Sequence, residues 1–307
     1  MLKRKVMHYI KKWVDSKNTK CLVIQGARQT GKTYIVERFA EENYEEIVEI
    51  NFKQIPSAMD IFSGDLTVDN MIMAMRFRFP EKKIIPGKTM IFLDEIQECQ
   101  EAITSLKFLA LDNRFDVIAS ESLLGIDYKR ASYYPVGYVD YLKMYGMDFE
   151  ELFWGMGISE DMIMNLCGYL SSKAAIPEAI HSQMMKYFRQ YVAIGGMPEA
   201  VQKYIDTKDF REVARIQRSL LQGYQLYFYK NETTKKEIDV IIQKDGKVVP
   251  IEVKSGNTRA NSLKSIMKNN KDISYGHKFI DGNIGTGEEG IITLPLYMIA
   301  FFDKVSE

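Results

Sequence analysis

Residues 20–33 read KCLVIQGARQTGKT, and this stretch decides the fold. Lys20–Gln25 is a short, mostly apolar run that reads as a buried strand. Gly26-Ala-Arg-Gln-Thr-Gly31-Lys32-Thr33 then satisfies the pattern GxxxxGK[ST]. Tyr34, Ile35, Val36, Phe39 and Ala40 follow at helix-compatible spacing. Strand, glycine-rich turn and helix in that order are the context that makes the pattern credible. The two glycines let the backbone curl so that its amides face one point, and the helix N-terminus adds a favourable dipole for an anion. Gly26, Arg28, Gln29, Thr30, Gly31, Lys32 and Thr33 are therefore candidate contacts to ATP. Lys32 would reach the β- and γ-phosphates, a catalytic as well as a binding role, and Thr33 would offer its hydroxyl to Mg²⁺. A plain glycine-rich turn before a helix is the competing explanation.

A second apolar run, Thr89–Leu93, ends in Asp94 and Glu95. Two carboxylates suit a buried strand poorly unless its tip faces a metal ion and water. Asp94 is the candidate Mg²⁺ ligand. Glu95 is the candidate group that orients or deprotonates the attacking water. The alternative is that Asp94 caps a helix with Glu95 in its first turn. Ile47–Phe52 and Phe115–Ala119 read as further strands, the latter tipped by Ser120. Helical patterns lie at Ala58–Phe62, Val68–Phe79 and Ala102–Asp112. The alternation predicts an α/β domain with a parallel sheet. Ligands sit at the carboxyl ends of such strands, which makes Ser120 a candidate γ-phosphate sensor.

The 307 residues suggest two or three domains. With 46% hydrophobic and 27% charged residues, the chain is not of a disordered, collagenous or disulfide-scaffold class. Lys+Arg and Asp+Glu are both 41, so overall charge gives no argument for nucleic acid. Cys21, Cys99 and Cys167 form no CxxC pair, and His8, His181 and His277 are scattered, which speaks against a zinc site. Cysteine usage suits a reducing cytosol. The longest apolar run, Leu296–Phe302, is far short of the roughly 20 residues of a membrane span. No signal-peptide pattern is visible, so a cytoplasmic protein without a membrane partner is expected.

The first residues form an amphipathic pattern, Leu2, Val6, Tyr9, Ile10, Trp13 and Val14, with Lys3, Arg4, Lys5, Lys11 and Lys12 mostly off the stripe. Docking on the following domain with a solvated basic face explains it most simply. Residues 146–222 are rich in helical patterns: Pro177–Ile194, Glu199–Ile205 after Gly195-Gly196-Met197-Pro198, and Phe210–Gln222. Arg211, Arg215 and Arg218 recur on the last of these, a solvated face or a DNA contact. Further on, Ile238–Ile242 and Val248–Val253 flank a turn at Lys244–Lys247, a hairpin signal. Glu252 and Lys254 share one strand face. With Asp239 they suggest a centre in which Asp239 and Glu252 bind Mg²⁺ and Lys254 assists phosphodiester cleavage. A cross-strand salt bridge is the competing explanation.

GARQTGKT, LDEIQ at Leu93–Gln97 and ASESLLG at Ala119–Gly125 together resemble a large group of prokaryotic AAA-type P-loop ATPases. The resemblance continues through YPVGY (Tyr134–Tyr138), DFEEL (Asp148–Leu152), IGGMPE (Ile194–Glu199), EIDV (Glu237–Val240) and PIEVKSG (Pro250–Gly256). It implies a P-loop NTPase domain over 1–145, a helical domain over 146–222 and a small restriction-endonuclease-like α/β domain over 223–307. It also implies ATP hydrolysis with Mg²⁺, coupled to a DNA-directed C-terminal domain. AAA-type proteins often assemble, which implies a homo-oligomer whose neighbour supplies an arginine; Arg114 and Arg130 are the candidates. The chain departs from the family in three places. Tyr138 stands where arginine is common, Glu121 where a small residue is usual, and the two parts of the C-terminal half are nearly joined near 222–226. The alternative function is a nucleotide-gated scaffold that binds an unidentified protein and carries a degenerate nuclease fold. A small-molecule P-loop kinase fits less well, for want of a basic lid.

Overall fold

The computed structural model describes residues 2–17, 19–122, 134–221, 240–244, 247–254, 260–269, 273, 275–285 and 290–304. The chain divides into two compact units, Arg4–Gly146 and Met147–Glu307, the latter with Met1–Lys3.

The first unit is a five-stranded parallel sheet flanked by helices, a P-loop NTPase α/β fold. Its elements are α1 (Lys5–Asp15), β1 (Cys21–Gly26), α2 (Lys32–Asn43), β2 (Glu46–Asn51), α3 (Val68–Arg78), β3 (Thr89–Asp94), α4 (Gln100–Asp112), β4 (Val117–Ser122) and β5 (Val139–Met144). The strand order is β2-β3-β4-β1-β5. The three central strands are covered on both faces, which is why they read as continuous apolar runs. Leu22, Ile24, Met90, Phe92 and Ile118 pack with Val6, Ile10, Val36 and Phe39 of α1 and α2. Their neighbours Cys21, Val23, Ile91, Leu93, Val117 and Ala119 pack with α3 and α4 on the other face. This is the period-two alternation of a strand. Val6 and Ile10 of the amphipathic N-terminal pattern thus dock on the sheet, whereas Tyr9 of the same stripe is exposed and Arg4 of the basic face is buried.

Three elements differ from the sequence reading. The strand expected at Phe115–Ala119 runs from Val117 to Ser122. Ser-Glu-Ser looks like a loop by composition, but pairing with β1 continues through Ile24–Ser120, Gln25–Glu121 and Gly26–Ser122. Ser120 therefore lies inside the strand. The edge strand β5, paired with β1, has no counterpart in the sequence reading. Ala58–Phe62 is part of a 3-10 turn, Pro56–Phe62.

The second unit has a helical part and a small sheet. The helices are α5 (Phe149–Gly155), α6 (Glu160–Ser172), α7 (Glu178–Ile194), α8 (Pro198–Thr207) and α9 (Phe210–Leu221). Asp148 and Glu151 form a reciprocal capping box on α5, and Ser159 caps α6. Gly195, with φ 72°, ends α7, and Pro198 opens α8. The sheet contains β6 (Val240–Lys244), β7 (Lys247–Lys254), β8 (Gly276–Ile280) and β9 (Ile291–Pro295), in that order, with α10 (Asn261–Asn269) between β7 and β8. β6 and β7 pair antiparallel, as the hairpin signal predicted, whereas β8 and β9 add in parallel. Helices and sheet share one core, in which Phe149, Phe153 and Tyr204 join Ile251, Phe279, Leu294, Tyr297 and Phe301. The apolar run Leu296–Phe302 lies in a 3-10 segment, Leu296–Lys304, that feeds this core. Among the described residues, no helix is long and apolar enough to cross a membrane.

Candidate functional site

The carboxyl ends of β1, β3 and β4 converge, and the loop between β1 and α2 curls over them. Gln29 and Gly31 both have positive φ, 65° and 87°. Gly31 takes the left-handed conformation at the N-cap of α2, where glycine carries no steric penalty. Gly26 is glycine for a different reason: a Cβ there would sit 2.3 Å from the Met144 carbonyl oxygen on β5. Arg28, Gln29, Gly31, Lys32, Thr33, Tyr34, Lys53, Glu95 and Ser122 line a cavity of about 450 Å³.

Lys32 is buried at 6% exposure. Its ammonium donates to the Gly26 carbonyl at 3.0 Å, the Ala27 carbonyl at 2.9 Å and Ser122 Oγ at 3.2 Å. Burial pulls its pKa below the ordinary lysine value, while Glu95 and Asp94 oppose the shift. A cation held by neutral oxygens at the mouth of a loop of amides is poised to exchange them for phosphate oxygens.

Thr33 and Asp94, 61 positions apart in the chain, meet: Thr33 Oγ1 donates to Asp94 Oδ2 at 3.0 Å. Asn51 Nδ2 donates to the same oxygen at 2.7 Å, and Ser120 Oγ donates to Asp94 Oδ1. Register explains this, since Asn51 pairs with Asp94 across β2 and β3. Glu95 has a positive φ of 54°, unusual for a side chain other than glycine or asparagine and worth about 1–2 kcal/mol of strain. Its Oε1 accepts from Ser122 Oγ at 2.7 Å and its Oε2 from Gln97 Nε2 at 2.5 Å. The hydroxyl and carboxylate of Thr33 and Asp94 are hard oxygen donors, the type Mg²⁺ prefers.

Of the sequence-nominated residues, the structure gathers Gly26, Arg28, Gln29, Thr30, Gly31, Lys32, Thr33, Asp94 and Glu95 around this loop. Ser120 is fully buried and bonded to Asp94, with its oxygen also accepting from the Glu95 amide at 3.3 Å. Ser122, two positions on and on the same strand face, is the serine that lines the cavity. Ending the strand at Ala119 hid it; extending period-two alternation would have found it. Asn51 was likewise detectable, as the polar residue one short of the end of the strand read at Ile47–Phe52. Arg4 was not: placed on a solvated face by its spacing, it is 6% exposed and donates to the Thr30 carbonyl at 3.1 Å and the Tyr145 carbonyl at 2.9 Å. Glu121 accepts from Gln25 and Tyr134 and lies outside the cavity lining.

Arg114 is bonded to Asp69 and Asp112 of its own unit, and Arg130 lies outside the described residues. In the second unit, Lys254 pairs with Glu252 at 2.9 Å, and Glu252 is 1% exposed. Lys278 stands beside Glu252 in the register of β7 and β8. Asp239 lies outside the described residues. No group of three or more potential metal ligands occurs among those described.

Residues 18–153 match the family model described as an AAA domain, and residues 210–297 match that of a domain of unknown function, DUF4143. The first part of the chain is thus similar to AAA domains, and its C-terminal part to a domain of unknown function. No curated protein matches it. Among solved structures, PCH-2 of C. elegans is similar at 14% identity, over 70% of this chain and 68% of that one, with a TM-score of 0.40. The Walker-type ATPase paby2304 of Pyrococcus abyssi is similar at 13% identity, over 73% and 74%, also at 0.40.

Proposed function

We propose that this chain binds ATP with Mg²⁺ in the loop Gly26–Thr33 and hydrolyses it. The observation that carries the reading is the meeting of Thr33 with Asp94 beneath a loop whose buried lysine holds only neutral oxygens. Thr33 and Asp94 would hold Mg²⁺, which would neutralise charge on the β- and γ-phosphates. Asn51 and Ser120 fix the Asp94 carboxylate. Lys32 exchanges its carbonyl partners for phosphate oxygens. Glu95 accepts a proton from the attacking water. Phosphate release by the wild type, Lys32→Ala and Glu95→Gln tests this; equal background release from all three would remove the ATPase reading.

For the C-terminal domain, coupling to DNA cleavage through Asp239, Glu252 and Lys254 is one reading. The scaffold reading has an observation in its favour: the Glu252 carboxylate is buried and already neutralised by Lys254. On that reading the pair is structural, and the domain engages an unidentified protein when ATP binds. Mg²⁺-dependent nicking of supercoiled plasmid decides between them, because cleavage lost in Glu252→Gln would establish the nuclease. Assembly into a homo-oligomer, with an arginine donated by a neighbour, accompanies either reading and is tested by mass in solution with and without nucleotide.

A further inference from the structure

In the LDEIQ motif the proposed chemistry employs Asp94 and Glu95, and Ile96 is fully buried in the core. Gln97 is left without a role. We propose that Gln97 is a positioning residue that sets the orientation of the Glu95 carboxylate; the inference rests on the reading of Glu95 as the group acting on the attacking water.

The chain turns sharply after β3. Glu95 takes the left-handed conformation, and a 3-10 turn, Ile96–Glu98, follows, closed by the Glu98 amide donating to the Glu95 carbonyl at 3.0 Å. Ile96 pins the turn to the core. This folds Gln97 back on its neighbour but one, where Nε2 donates to Glu95 Oε2 at 2.5 Å. Only the NH₂ end of an amide can face a carboxylate favourably, so the amide orientation follows from the chemistry. Ser122 supplies the donor on Oε1 at 2.7 Å.

Each carboxylate oxygen therefore has its own donor, on opposite sides of a terminal torsion that is otherwise soft. Ser122 lines the cavity and would meet the phosphates, whereas Gln97 does not line it. The Gln97 carbonyl oxygen is buried with no hydrogen-bond partner among the described residues. Among them, the side chain makes no hydrogen bond except the one to Glu95. A half-buried amide whose hydrogen bonding is spent on one carboxylate is suited to hold that carboxylate, and an apolar side chain would fill the space as well.

The experiment is a double-mutant cycle on steady-state phosphate release with Mg²⁺ and ATP. Gln97→Met, which keeps length and loses the donor, is expected to lower kcat about tenfold or more with KM within about twofold. In the Glu95→Gln background the same substitution is expected to change nothing further. An unchanged kcat, a change carried by KM, or an equal fall in the Glu95→Gln background would overturn the proposal. Should Gln97→Met not fold, Gln97→Asn carries the same test, since it keeps an amide one methylene too short to hold this geometry. The two readings fail separately. Wild-type turnover by Glu95→Gln removes the Glu95 reading and this inference with it. A dead Glu95→Gln beside a fully active Gln97→Met removes this inference alone.

Discussion

Replacing Arg4 by methionine keeps the aliphatic stem and deletes the guanidinium, which donates to the Thr30 and Tyr145 carbonyls from a site only 6% exposed. Hydrogen bonds from a charged donor contribute about 1.5–3 kcal/mol each, and the freed guanidinium recovers part of that through solvation. A net loss of about 2–4 kcal/mol is expected, which for a unit of this size lowers Tm by about 6–12 °C. The second consequence concerns the loop. A trans peptide is planar, so a carbonyl held by Arg4 at Thr30 also fixes the direction of the Gly31 amide. Releasing that plane is expected to weaken nucleotide binding about tenfold, equivalent to about 1.4 kcal/mol. At a nucleotide concentration about 100 times the wild-type Kd, ligand stabilises the wild type by about 2.7 kcal/mol and the variant by about half as much. Thermal melts with and without a non-hydrolysable ATP analogue read both effects. A Tm equal to wild type would refute the structural claim. A lowered Tm with an undiminished nucleotide shift would show that Arg4 secures the N-terminal helix without orienting the loop.

Three further outcomes follow from particular contacts. Gly26→Ala places a Cβ 2.3 Å from the Met144 carbonyl oxygen, so β1 and β5 must separate; a loss of about 3 kcal/mol or more is expected by chemical denaturation, and a wild-type midpoint would contradict it. Glu49 is pushed up to about 7, by burial first and then by the neighbouring Glu37 carboxylate. Because its folded pKa lies above its unfolded one, its contribution favours the fold below about pH 4.5 and is lost as pH rises through about 7. Allowing for its partial exposure, Glu49→Gln is expected to stabilise the protein by about 1–2 kcal/mol at pH 8 and little at pH 5, as read by denaturant midpoints; the reverse order would be inconsistent with two carboxylates crowded at a half-buried position. Phe301 is fully buried against Phe149 and Phe153, so Phe301→Ala is expected to cost about 3–5 kcal/mol; a loss below 1 kcal/mol would deny the shared core of the second unit.

The nucleotide loop and β3 were legible in the sequence because central parallel strands are buried on both faces and leave continuous apolar runs. β5 was not, since Asp140, Tyr141 and Lys143 interrupt it on an edge where only some positions are covered. The extent of β4 was hidden by a Ser-Glu-Ser ending that resembles a loop, and with it the role of Ser122. Arg4 lies beyond any pattern rule. Its burial depends on two carbonyls, one 26 and one 141 positions away, that only the folded sheet brings to it. The run Leu296–Phe302 was informative for what it is too short to be, while its packing is a property of the helices it meets.

On the proposed function, the curled main chain of Gly26–Thr33 grips a Mg²⁺-bound triphosphate. Calorimetric titration of the full chain with a non-hydrolysable ATP analogue, in the presence of Mg²⁺ and after chelation, tests it most directly. Saturable one-site binding is expected with the metal, weaker binding without it, and affinity reduced about tenfold or more in Lys32→Ala. No heat with or without the metal, or equal affinity in Lys32→Ala, would contradict it.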